Sequence, residues 1–321
     1  MTRAGSCFRW ALAASVFGLL AAASSSAPAQ TVTGFEGVTV ADLDGDKGYR
    51  PVRDNAYAEI RQDMIIRKVL EEYVAFMSPV RLPKGLWVYA DECGGGPGSS
   101  PYYDPSQRAI VMCYEFVKSI DDWAAKIVKT ETENPRNVPI KVTRKGFIAG
   151  LFAGVILHET GHALFDNLDV PIFGRQEDAA DQMSTFIAVQ FKPEVADLVV
   201  GAYANVALMF DNKLRNATKS GATNLPDDPE AQCQLDPFCA FSDEHGTWGQ
   251  RFFNTLCLAY GANPTHYADL VGEGFLPNNR DCVAEYEQTK RAFAATIYPF
   301  IDKEKMKKVQ EGEWFMQGEM K

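Results

Sequence analysis

GFIAGLFAGVILHETGHALFDNLDVPIFGRQEDAAD, residues 146–181, decides how this chain is read. At its centre His158-Glu159-Thr160-Gly161-His162 matches H-E-x-x-H. On a helix, residues four apart share a face, so His158 and His162 can offer two imidazole nitrogens to one metal ion, with Glu159 one step round and within reach of a water there. Upstream, Phe147, Ile148, Leu151, Phe152, Val155 and Ile156 surround Gly150 and Gly154, the pattern of a helix buried on several sides. Two imidazoles and a carboxylate without partners in such a helix would cost about 1–3 kcal/mol per neutral polar group and more for a charge. A metal and its supporting hydrogen bonds would satisfy them.

Working outward, Glu177-Asp178-Ala179-Ala180-Asp181 follows as E-x-x-x-D. Glu177 and Asp181 share a helix face, which predicts that Glu177 completes a two-histidine, one-glutamate site while Asp181 accepts a hydrogen bond from a ligating histidine. Asp178 is turned about 100° away. Between the two helices, Pro171 and Gly174 break the pattern within 166–175 and turn the chain back.

From His158 to Gln182, with HETGHALFDNLDVPIFG followed by EDAADQ, the chain resembles a family of secreted bacterial metallopeptidases of unknown function. The E-x-x-A-D element is also similar to that of the wider glutamate-type zincins. A looser likeness runs from about Tyr57 to Tyr286 and includes YYDP, CYEF, DEHGTWGQRFFN and LCLAYG. The resemblance implies an α+β, zincin-like fold, mostly helical with a small antiparallel sheet beside the active-site helix, and a peptidase acting on peptide or protein substrates. It implies no particular substrate.

The composition, 46% hydrophobic and 23% charged over 321 residues, is that of an ordinary soluble globular chain. Residues 1–29 carry Arg3 and Arg9, an apolar run from Trp10 to Ala23 and the small-residue end Ala27-Pro28-Ala29, which predicts a cleaved signal peptide and a periplasmic or secreted protein. The net charge of −10 becomes more negative once the leader is removed, and this disfavours nucleic acid as a partner. The apolar run 146–157 is too short to span a bilayer, so no stable membrane insertion of the mature chain is expected. Residues 30–55 read as a lead-in, 56–300 as the catalytic domain and 301–321 as a tail. Within the lead-in, Asp42, Asp44 and Asp46 alternate like the start of a calcium loop, but Lys47 and Arg53 stand where glycine and glutamate are needed, so a solvated turn is expected.

Apolar spacing predicts helices over 56–77, 113–129 and 193–214. The β-rich runs 85–90 and 109–113, joined by a Gly/Pro/Ser-rich stretch, predict an antiparallel hairpin whose edge would receive an extended peptide. Six cysteines remain after export, with expected pairs Cys93–Cys113, Cys233–Cys239 and Cys257–Cys282. A zinc peptidase gains from a donor aimed at the oxyanion of its tetrahedral intermediate. His245, in Asp243-Glu244-His245, is the better candidate, with Arg251 a second. The sequence therefore predicts an exported zinc peptidase in which His158, His162 and Glu177 hold Zn2+, Glu159 is general base, His245 assists and Asp181 orients a ligand. The alternative from another class is a metal-stabilised binding or scaffold protein without turnover.

Overall fold

Four short strands make up the sheet, whose edge strand borders the site. In the computed structural model, which describes residues 36–42, 47–94, 99–133, 138–219, 233, 242–312 and 314, these are β1 (Val38–Val40), β2 (Leu86–Asp91), β3 (Tyr102–Asp104) and β4 (Ala109–Cys113). They form one sheet in the order β1-β2-β4-β3. All five residues of β4 are buried, as suits a central strand covered on both faces.

The pairing corrects the expected hairpin. β4 runs parallel to β2, with Val88 opposite Ile110 and Asp91 opposite Cys113. The antiparallel pair is β3 with β4, Tyr103 opposite Ile110. The turn between them is set by the Asp104 carboxylate, which accepts from the Ser106 amide at 2.8 Å and the Gln107 amide at 3.2 Å, with Arg108 at φ 51°. The physical reason lies in the disulfide. Cys93 and Cys113 are bonded with Cα atoms 5.4 Å apart. An antiparallel 85–90/109–113 pair would put Cys113 at the far end of β2, roughly 17–20 Å away at ~3.3 Å per residue. Cys257 and Cys282 form a second disulfide. The third expected pair involves Cys239, which lies outside the described residues, as do Asp44 and Asp46 of the acidic turn.

The helix expected over 56–77 is two helices, α1 (Ala58–Arg67) and α2 (Val69–Phe76). Lys68 adopts the left-handed conformation at φ 54°, which interrupts the helix. The Leu70 amide donates to the Tyr49 hydroxyl at 3.0 Å, and that hydroxyl donates to Glu71 at 2.7 Å. Tyr49 itself is buried. The lead-in is thus part of the fold, since β1 pairs in parallel with β2. At the other end, Ile301 bridges Val80 and is buried, and Trp314 packs edge-on against Phe76 at 5.7 Å. Ile301 and Val309 of the tail are thus part of the core.

Helices α3 (Tyr114–Glu133), α4 (Arg144–Asn167), α5 (Gln176–Ala188), α6 (Pro193–Lys219) and α7 (Trp248–Ala262) build the body beneath the sheet. α4 starts where Thr143 accepts a hydrogen bond from the Gly146 amide at 3.0 Å. It is the central helix, packed on α3, α5 and α6. Its small residues permit this. A Cβ on Gly150 would lie 1.9 Å from the Leu198 carbonyl oxygen of α6, and one on Gly161 would lie 3.1 Å from Ala180 Cα of α5. Gly150→Ala is accordingly expected to lower stability by about 2–3 kcal/mol, despite the ~1 kcal/mol gain in helix propensity. An unchanged denaturation midpoint would contradict the α4–α6 contact.

By length and composition, α4 and residues 193–216 of α6 could each cross a membrane, but 83% and 72% of their apolar windows are buried inside the fold. Their apolar character is accounted for by packing.

Candidate metal centre

The site forms where α4 and α5 cross at Gly161, which lets the backbones approach closely enough for side chains on each to meet. His158 Nε2 lies 3.0 Å from Glu177 Oε2, and His162 Nε2 lies 3.3 Å from the same oxygen. The two imidazole Nε2 atoms are 3.2 Å apart. His245, from the segment leading into α7, brings its Nε2 within 3.0 Å of Glu177 Oε2 as well. The ligand atoms of His158, Glu177 and His245 all lie within 4.8 Å of one another. Asp178, by contrast, pairs loosely with Arg175 at 4.0 Å.

The other nitrogen of each helix histidine shows what this arrangement can hold. His158 Nδ1–H donates to Asp181 Oδ1 at 2.8 Å, because a carboxylate only accepts. His162 Nδ1–H donates to the Gln176 amide oxygen at 2.9 Å. In the neutral form that binds a metal, both imidazoles therefore carry an Nε2 lone pair, aimed at each other and at a carboxylate. Facing acceptors repel, and one cation among them satisfies all three. The donor set of two imidazoles and a carboxylate fits a divalent metal such as zinc, and each histidine has the outer hydrogen bond such ligands need.

The carboxylates draw positive charge to this centre, which a proton on His158 or a bound metal would each supply. Burial disfavours the His158 imidazolium, yet the Asp181 and Glu177 carboxylates outweigh it and push its pKa up to about 10. Burial would raise Glu177, but its hydrogen bonds with His158, His162 and His245 hold it far below the usual carboxylate range. Burial pushes Glu159 up, opposed by the charges of His158 and His162. Its carboxylate also faces the Tyr103 backbone amide of β3.

Asp181 is held from three sides. Besides His158 it accepts from Arg251 Nε at 2.8 Å and Nη2 at 3.1 Å, and from the Tyr203 hydroxyl. Burial would raise its pKa, but Arg251 foremost and His158 next depress it strongly. Arg251 is therefore committed to Asp181 and stacked over Trp248 at 4.9 Å, a positioning contact where the sequence had suggested an oxyanion donor. Gln176, Tyr203 and Arg251 were not assigned these roles from sequence. Only Gln176 left a signal, standing directly before Glu177. The backbone of His245 is pinned by Arg175, which donates to its carbonyl at 2.9 Å, and by Asp243, which accepts from its amide at 2.9 Å.

His158, Glu159, His162, Glu177 and His245 all line one cleft of about 1210 Å³, roofed by the β3 segment and floored by α4. Among the described residues, the other group of potential metal ligands, Glu115 with Cys93 and Cys113, has its two sulfurs joined in a disulfide.

No curated protein and no solved structure matches the chain. Residues 49–297 match the DUF4344 family, described as "Putative metallopeptidase". That match covers Tyr49, β2, β3, β4, α4, α5 and α7, and it spans most of the sequence; the chain belongs to this metallopeptidase family.

Proposed function

We propose that the protein is an exported zinc peptidase in which His158, His162 and Glu177 hold the metal and Glu159 is the general base. The observation that carries this reading is the meeting of three donor atoms within 3.0–3.3 Å of one another, with the adjacent Glu159 lining the same cleft. Zinc bound there would supply a Lewis acid that polarises a peptide carbonyl and makes water a better nucleophile at neutral pH. Glu159 takes the proton of the attacking water and returns it to the leaving amine. Asp181 and Gln176 fix the tautomer and orientation of the two imidazoles. β3, the edge strand beside Glu159, offers main-chain groups to which an extended peptide can add. The two disulfides suit an oxidising, extracytoplasmic compartment.

His245 serves as the donor to the developing oxyanion. Its side chain is about one-third exposed and meets Glu177 from the open side of the cleft. His245→Ala is expected to lower kcat about 10²–10³-fold with zinc affinity unchanged. A matching loss of zinc would make it a metal ligand instead.

The experiment that tests the proposed activity is digestion of an unbiased peptide library by the mature protein, with and without chelator. Chelator-sensitive cleavage is expected. Bound zinc with no cleavage of any peptide would favour the metal-stabilised binding protein.

A further inference from the structure

Beyond the metal donors, the cleft continues between α3 and α6. On α3, Phe116, Trp123 and Lys126 line it; on α6, Phe210 and Lys213 do so. These positions recur at helical spacing, so each helix presents one stripe to the groove. An unbroken chain of rings crosses it. Trp248 stacks on Phe210 at 4.8 Å, Phe210 meets Trp123 edge-on at 5.2 Å, and Trp123 meets Phe116 at 6.0 Å.

One end of this wall is fixed in the fold. At that end Trp248 lies under Arg251, which holds Asp181 and through it His158. Lys126 and Lys213, which line the same cleft, each stand three residues, or ~4.5 Å of helix rise, beyond Trp123 and Phe210, and both are exposed. The metal end of the cleft is acidic, with Glu159, Asp166 and Glu177. Lys126 and Lys213 add two cations to its lining beyond the rings, on a chain of net charge −10. Trp123 and Trp248 remain partly open to solvent, so an apolar group entering the groove would cover them.

Resting on the peptidase reading above, we propose that this groove selects peptides with a large apolar side chain, which packs on Trp123, Phe210 and Trp248, and a carboxylate one or two residues further on, which pairs with Lys126 and Lys213. The offset follows from the one-turn step between ring and lysine, set against ~3.3 Å per residue of extended peptide. The carboxylate is either an acidic side chain or the peptide's own C-terminus, since both present the same group to an ammonium.

The test uses the mature Glu159→Gln protein and fluorescein-labelled hexapeptides that differ in Phe against Ser at one position and Glu against Gln two residues later. Each is made with a free and an amidated C-terminus, and binding is read by fluorescence anisotropy. The Phe/Glu peptide is expected to bind at least about tenfold tighter than its Ser counterpart. Its advantage over the Gln counterpart is expected to vanish in the Lys126→Ala/Lys213→Ala variant and to shrink as salt rises. Trp123→Ala, or Trp123→Leu if the former fails to fold, should lose the Phe preference and keep the Glu preference. If the carboxylate preference follows the free C-terminus and not the side chain, the proposal stands with that source. Equal affinities across the set, or a Glu preference untouched by the double lysine variant, would overturn it. Wild-type cleavage of the same peptides separates the two readings. Selective binding without cleavage would sink the peptidase activity alone, whereas cleavage indifferent to both positions would sink the groove alone.

Discussion

Glu159→Gln is expected to bind zinc as the wild type does and to lose turnover by about 10²–10⁴-fold, the range that general-base catalysis supplies. The substitution keeps the shape and removes the base. Glu159 makes none of the contacts that join His158, His162 and Glu177, so the metal shell is undisturbed. Paired zinc titration and steady-state kinetics on one preparation check it. Full activity in this variant would remove Glu159 from the mechanism, and loss of zinc would make it part of the metal shell.

Three neighbouring carboxylates should respond very differently to truncation. Glu177→Ala removes the oxygen on which three imidazole nitrogens converge, and its zinc affinity should fall by more than the roughly 10–100-fold typical of outer hydrogen-bond partners. Asp181→Ala should fall within that 10–100-fold range. It should also cost about 3–5 kcal/mol of stability, because the buried Arg251 loses the carboxylate that neutralises it. Asp178→Ala should do little, since among the described residues Asp178 makes only a long, half-exposed ion pair with Arg175. A competition titration with a chromophoric chelator, together with urea unfolding, ranks all three. If Asp178→Ala is the most damaging for zinc, the assignment of Glu177 is wrong.

How far the sequence carried depended on whether the information was local. The crossing of α4 and α5 could be anticipated because helical periodicity maps spacing directly onto a face, and His158, His162, Glu177 and Asp181 all obey it. The α+β, mostly helical character followed from the same periodicity and from the resemblance. Strand direction did not, because a run such as Ala109–Cys113 reads identically in parallel and antiparallel pairs. Here the Cys93–Cys113 bond held the answer, since only the parallel register brings those two residues together. The break at Lys68 was invisible because lysine gives no hint of a left-handed backbone; its support comes from Tyr49, about twenty residues earlier. The roles of Tyr203 and Arg251 were hidden for the same reason. Each reaches Asp181 from a different helix, and no spacing rule links them.

X-ray absorption at the zinc edge of the reconstituted mature protein tests the central claim most directly. The account predicts two imidazole nitrogens at ~2.0–2.1 Å with a carboxylate oxygen at ~2.0–2.2 Å and no sulfur, and one imidazole fewer in His162→Ala. A shell containing thiolate sulfur, or one unchanged by that substitution, would contradict it.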